Sequence, residues 1–260
     1  MDQLTLVGTS VAAQATAFAL PNLEVAVDIG RLTPTSAQQP TLLLTHTHLD
    51  HSAGLLAYLN LRARFYRDQP TTVWVPAPVQ KDLLEALRLF PGMASVAKRL
   101  PLAEVIRPVE DGQEIVLDGL TVEAFAVKHS VPTLGWRLTQ AGQDATGVVF
   151  ASDGDPRFFS SRLQLLQAQM AVVECSFIGE NRRVAARMAA HAHILDWLEL
   201  APLLPVEVLV LAHLPETLRS LRAFRTLAED FPGSVVLWAE PSRFTGESLL
   251  KDETGSCCCL

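Results

Sequence analysis

Short apolar runs that stop at a glycine, a proline or a histidine recur along this chain. Two periods are laid over them, one of strands and one of helices. The segment "LEVAVDIG" (23–30) predicts a strand ending in a glycine turn, and "TLLLTH" (41–46) a short buried strand. The polar, proline-bounded stretch "RLTPTSAQQP" (31–40) between them predicts a loop. "SAGLLAYLNLRARF" (52–65) has helical spacing, with Ser52 at the N-cap position. "TTVWVPAP" (71–78) predicts a strand, and "VQKDLLEALRLF" (79–90) an amphipathic helix closed by Pro91-Gly92. Asp-Gly pairs at 111 and 118 divide residues 104–129 into meandering strands joined by tight turns. "LGWRLT", "GVVFASDGD" and "MAVVECSF" predict three further strands. The last third reads as helix (180–205), strand (206–213), helix (215–231) and strand (234–240). Strands followed by strands alternating with helices imply an α+β protein of two packed sheets with helices outside. With no internal repeat and no interdomain linker, residues 1–254 are expected to form one domain and the cysteine-rich 255–260 a disordered tail.

Composition narrows the class. A chain of 260 residues with 49% hydrophobic and 19% charged residues is globular, and large enough to need no disulfides. The net charge of −7 argues against a surface that binds nucleic acid throughout, because phosphate contacts come from Lys and Arg. Any such role needs a local patch. Arg62, Arg64 and Arg67, Lys98 with Arg99, and Arg182 with Arg183 read as solvated faces. No apolar run reaches the roughly 18 residues of a membrane helix, and residues 11–20 lack the basic flank of a signal peptide. Cys175 is solitary, and three adjacent cysteines (257–259) cannot frame a secreted fold, so the expected location is cytoplasmic. "CCCL" formally fits a prenylation box, but without aliphatic middle residues.

The chemistry lies in the histidines. Three of the seven, His46, His48 and His51, fall within "THTHLDHSAG" together with Asp50. His129, Asp153 and His213 each close a predicted strand, while His191 and His193 lie in the helical stretch "MAAHAHIL". Imidazoles and carboxylates gathered at strand ends are the donor set of Zn²⁺-type sites.

These residues resemble the metallo-β-lactamase superfamily, whose HxHxDH signature stands here as His46-Thr47-His48-Leu49-Asp50-His51. "KHSVPTLGWRL" (128–138), "ECSF" (174–177), "VGTSVA" (7–12), "VDIG" (27–30) and the spacing of His191 to His213 are similar to the ribonuclease Z branch. The resemblance implies a four-layer αββα sandwich with the site along one edge. It implies one metal on His46, His48 and His129, a second on Asp50, His51 and His213, and Asp153 bridging. Seven N/O donors exceed one tetrahedral site but fill two, with room for a shared water. The metals expected are two Zn²⁺, with Mn²⁺ or Fe²⁺ as alternatives.

On this reading Asp50 orients or deprotonates the water, and His191 protonates the leaving oxygen of a phosphodiester. Glu174 is expected to support His191 or a ligand, with His193 as a further supporting residue. Thr45 and Ser52 are assigned turn and cap roles, and Cys175 a buried apolar one. The family's long tRNA-gripping arm has no counterpart, because only "LTQAGQDATG" (138–147) joins the relevant strands. The expected substrate is therefore a precursor tRNA 3′ end or a smaller phosphodiester. Hydrolysis of a thioester, lactone, lactam or sulfate ester, and metal binding without turnover, stay open. The resemblance also suggests a homodimer.

Overall fold

Alternate residues of the central strands are buried on opposite faces, and this double burial sets the architecture. In the computed structural model, residues 4–143, 145–216, 222–238, 242–245 and 258–259 are described. One sheet contains β1 (Thr5–Val11), β2 (Ala15–Leu20), β3 (Val25–Val27), β4 (Thr41–Leu43), β5 (Thr72–Pro76) and β6 (Ile106–Val109) in sequential order. The second runs β7 (Glu114–Leu117), β8 (Leu120–Val127), β9 (Thr133–Gln140), β10 (Val148–Ser152), β11 (Ala168–Glu174), β12 (Val206–Ala212) and β13 (Ser234–Leu237). β14 (Ser242–Thr245) pairs with β1, and β15 (Cys258–Cys259) pairs with β13. Residues 255–257 and 260 of the cysteine-rich tail lie outside the described residues.

Strands β3 to β6 are mutually parallel, as are β10 to β13. Parallel strands need both faces covered, and three cores supply the cover. Val25, Val27 and Leu43 of the first sheet meet Phe150, Val172, Val210 and Trp238 of the second in the middle layer. The intervening residues Ala26, Leu42 and Leu44 face outward onto Leu55, Tyr58 and Leu59 of the helix Leu55–Phe65. On the other side Val149, Ala171, Val173, Leu209 and Leu211 face Trp197 and Phe224. The result is the four-layer αββα sandwich.

Several local expectations are corrected. The stretch 31–40 contains a helix, Pro34–Gln38, because Thr33 and Ser36 form a reciprocal capping box around Pro34. Ser52 is not an N-cap. It ends the short helix Leu49–Ser52, and its Oγ donates to the carbonyls of Thr47 and His48. The meander of 104–129 is split, since β6 belongs to the first sheet and β7 opens the second. Helix 180–205 is broken into Arg183–Met188 and Ile194–Leu200 by Ala190, whose φ of 54° ends the first helix. The helix expected over 215–231 is described at Arg222–Asp230, with 217–221 outside the described residues. Arg62 is buried rather than solvated, and donates to Thr71, Gln69 and the carbonyls of Gln38 and Pro70. It staples the loop 66–71 to the helix.

One glycine is fixed by contact. A Cβ at Gly30 would lie 1.8 Å from the Asp50 carbonyl oxygen, in a turn where Ile29 N–H donates to the His51 carbonyl and Gly30 N–H to that of Thr16. Gly30→Ala must therefore push the 46–51 loop away from β3. We expect a loss of about 1–3 kcal/mol, typical of overpacking. Chemical denaturation should show it as a lower midpoint with an unchanged slope. An unshifted midpoint would contradict the close approach.

Candidate metal centre

The chain leaves β4 at Leu43 and turns immediately, so consecutive side chains of 45–51 fan out from one strand end. Asp28, just past β3, organises the fan. Its Oδ1 accepts from Thr45 N–H at 2.7 Å, and the Thr45 hydroxyl donates to both carboxylate oxygens at 2.9 and 2.8 Å. Its Oδ2 lies 2.7 Å from His51 Nδ1. Asp28 adopts φ 58°, a left-handed conformation rare for a non-glycine residue and one that aims the carboxylate back at the loop.

Each ring is oriented through the nitrogen that faces away from the centre. Thr45 Oγ1 lies 2.9 Å from His46 Nδ1, the Ala190 carbonyl 3.0 Å from His129 Nδ1, and Thr16 Oγ1 3.1 Å from His213 Nδ1. With Asp28 on His51, four rings thus present Nε2 inward. His48 is reversed. Its Nδ1 lies 3.1 Å from His46 Nε2 and 3.3 Å from His129 Nε2. The backbone N–H of His213, held at φ 52°, donates to the Ser10 hydroxyl oxygen at 2.8 Å, so the first sheet positions a residue of the second.

The inward atoms form four overlapping groups. His46, His48 and His129 make one and Asp50, His51 and His213 another, while Asp153 closes a third with His46 and His51 and a fourth with His129 and His191. Asp153 Oδ2 stands 3.2 Å from His51 Nε2 and 3.4 Å from His213 Nε2, and Asp50 Oδ2 is 3.6 Å from His213 Nε2. Bonds of about 2.0–2.1 Å around a tetrahedral Zn²⁺ place its donors about 3.3–3.4 Å apart, so the spacing fits such a cation. The buried Nε2 of His51 has no hydrogen-bond partner, an orphan that a metal ion would satisfy.

The electrostatics agree. Burial keeps His46, His129 and His213 below the ordinary imidazole range, in the neutral form that ligates metal. Burial also opposes charge on His51, but Asp153 and Asp28 outweigh it and push that ring well above its usual value. The cluster's field therefore favours positive charge at this point. Burial opposes ionisation of Asp153 too, yet His213 and His51 hold its carboxyl well below the usual range.

His191 lies beside this cluster. Its Nδ1 is 2.8 Å from Glu174 Oε1 and 3.9 Å from Asp153 Oδ2, and Glu174 outweighs the effect of burial to raise its pKa. Glu174 is fully engaged, since it also accepts from the N–H groups of Gly154, Ser176 and Ala192 and from the Ser176 hydroxyl. The break at Ala190 is what brings His191 here, because a continuous helix would point it elsewhere. His193 is engaged otherwise. Its Nδ1 accepts from Leu195 N–H as an N-cap, and its Nε2 bonds the Gly179 carbonyl at 2.9 Å. It touches none of the seven donors and instead secures the helix start.

The sequence reading missed Asp28, Thr16 and Ser10, and gave Thr45 only a turn role. Asp28 was legible as the sole acid in "VDIG". Nothing local marks Thr16, whose partner is 197 residues away. Cys175 is buried and free, in keeping with the buried apolar role expected of a solitary cysteine.

Residues 28–214 match the family model described as a beta-lactamase superfamily domain. The chain is 34% identical to the nuclear ribonuclease Z of Triticum aestivum, over 52% of this chain and 75% of that protein. It is 24% identical to the chloroplastic tRNase Z TRZ2 of Arabidopsis thaliana, over 82% of this chain and 68% of that protein. Among solved structures, the metallo-beta-lactamase fold protein YhfI from Bacillus subtilis superposes with a TM-score of 0.73 at 16% identity, covering 94% of this chain and 100% of its own. Human tRNase Z, short form, gives 0.60 at 17% identity, covering 82% and 93%.

Asp28→Asn places an amide where His51 Nδ1 needs an acceptor, which disfavours the tautomer with Nε2 free. Metal affinity should fall about 10- to 100-fold, measured by competition with a chromogenic chelator. An unchanged affinity would remove Asp28 from the account of the centre.

Proposed function

The chain belongs to the metallo-β-lactamase-fold superfamily, in its ribonuclease Z-like branch, and on that premise we propose that it is a dinuclear phosphodiesterase. The observation that carries the proposal is the Glu174–His191 pair beside Asp153, a proton donor held at the edge of a cation-binding cluster. Hydrolysis of a diester needs one group to take a proton from water and another to give one to the departing oxygen.

His46, His48 and His129 would hold one cation, and Asp50, His51 and His213 the other, with Asp153 shared between them. Two divalent ions, Zn²⁺ by preference for this donor set, supply when bound a water acidified toward neutrality and positive charge for the phosphoryl oxygens. Asp50, half-buried at the cleft floor, orients the attacking water and accepts its proton. Water adds to phosphorus, the bond to the leaving oxygen breaks, and His191 delivers a proton to that oxygen. Glu174 fixes the imidazole so that Nε2 faces the cleft, and stabilises its charged form. A precursor tRNA 3′ end is one substrate of this class, and plant relatives are named as tRNases. The seven-residue connection between β9 and β10 (141–147) supports a smaller one.

The first test is metal-loaded protein assayed on bis(p-nitrophenyl) phosphate and on a precursor tRNA with a 3′ trailer. Asp50→Ala should abolish either activity. Turnover of thioesters or lactones with no diester cleaved would overturn the proposal.

The role of His191 has its own signature. On a diester with an alkoxide or nucleoside leaving group, His191→Ala should lower kcat by about 10²- to 10⁴-fold. On bis(p-nitrophenyl) phosphate the loss should be far smaller, because p-nitrophenolate departs without a proton. Equal losses on both would show that His191 is not the acid.

A further inference from the structure

The cleft over the cluster, about 1490 Å³, is larger than the metal centre needs. Small-ligand sites usually occupy roughly 300–1,000 Å³. Beyond His191 it continues over an apolar wall of Phe177, Ile178, Leu195, Leu198 and Ala223, each half-buried and none of them used by the chemistry described above. A contiguous apolar face beside a charged reaction centre indicates recognition of an apolar part of the ligand.

Phe177 is the best-placed member of that wall. Its N–H donates to the Ala192 carbonyl at 3.1 Å, and its carbonyl accepts from Ile194 N–H at 2.9 Å. The residue is thereby pinned on both sides to the segment that carries His191. The two rings lie 6.2 Å apart at their centroids. A group attached to an oxygen that His191 protonates would be within reach of Phe177.

Charge gives the direction as well. The Arg182 guanidinium lies 5.9 Å over the Phe177 ring and lines the same cleft. Its neighbour Arg183 is held by Asp196 and Glu199, whereas Arg182 has no carboxylate partner among the described residues. A second cleft, about 630 Å³, opens beside His129 and Ser130 and has Glu110, Asp111 and Lys128 on its wall. The acids there outnumber the single lysine, and the aromatic wall with Arg182 lies only in the larger cleft.

We propose that this wall is a nucleobase subsite for the leaving arm of the substrate: the base of a departing nucleoside stacks on Phe177, and Arg182 takes the next phosphate along. Aromatic stacking tolerates any base because every base has a π-face, and an exposed arginine contributes both stacking and charge. The active substrate class is then a short nucleotide diester, with its anionic arm on the His191 side. The subsite rests on the phosphodiesterase reading.

The test compares two diesters in the metal-loaded protein, a dinucleoside monophosphate and its analogue with an abasic leaving sugar. The wild type should favour the base-bearing substrate by at least about fivefold in kcat/KM. Phe177→Ala and Phe177→Leu should erase most of that ratio, and Phe177→Tyr should restore it. Arg182→Ala should raise KM selectively for a leaving arm that carries an additional phosphate. A wild-type ratio near one, with both diesters cleaved, overturns the subsite and leaves the phosphodiesterase reading intact. A second readout needs no turnover: titration with a nucleoside monophosphate, followed by calorimetry. Binding weakened in Phe177→Ala, with no diester cleaved, sustains base recognition by this wall but overturns the phosphodiesterase reading and with it the leaving-arm role. No binding and no base preference overturn the subsite outright.

Discussion

The Asp28 carboxylate is the constraint on which the centre depends. A buried carboxylate costs several kcal/mol unless its oxygens are satisfied, and here the amide and hydroxyl of Thr45 and the ring of His51 satisfy them. Those bonds join the end of β3 to the turn after β4 and to the short helix that follows. The turn can then adopt only the path that sends His46 and His51 inward. Gly30 completes this by letting the β3 turn approach the backbone of Asp50. The left-handed φ of Asp28 is a local strain, and the surrounding bonds hold it in place.

The two sheets divide the remaining work. The first contributes the HxHxDH turn, and the second contributes His129, Asp153, Glu174 and His213 from the ends of its strands. Each sheet also corrects the other. Ser10 and Thr16 of the first aim His213, and Leu134 N–H of the second bonds the Thr45 carbonyl of the first. A site assembled across a packed interface inherits the rigidity of the middle core, where Phe18 meets Trp238 edge-on at 5.2 Å. Donor spacings near 3.3 Å need such a frame, because displacement by a fraction of an ångström would spoil ligation.

An acidic chain proposed to handle a phosphate ester looks contradictory at the level of net charge. The local arrangement resolves it. The cluster's carboxylates are directed inward, toward positions that attract cations, while Arg182 and the apolar wall lie farther along the cleft. The field a substrate meets is set within roughly one Debye length, about 8 Å at physiological salt. The total of −7 has little say there.

The sequence by itself determined the donor inventory, the strand ends that present it and the layering. An unbroken apolar run such as Val208-Leu209-Val210-Leu211 states directly that both faces of a strand are covered, and the His46–His51 signature fixes its own spacing by chain connectivity. Its helical spacing misled at 180–205, because the break at Ala190 has no glycine or proline to mark it. It also left Arg62 among exposed cations, since nothing local shows the carbonyls of Gln38 and Pro70 that receive its protons. Only the tertiary structure decided which nitrogen of each imidazole faces the centre. That choice is made by the hydrogen bond on the opposite nitrogen, and the partners of His129 and His213 lie 61 and 197 residues away. Short-range patterning encodes which face of an element is buried, but the orientation of a ring within the buried layer depends on contacts that exist only after the sheets have packed.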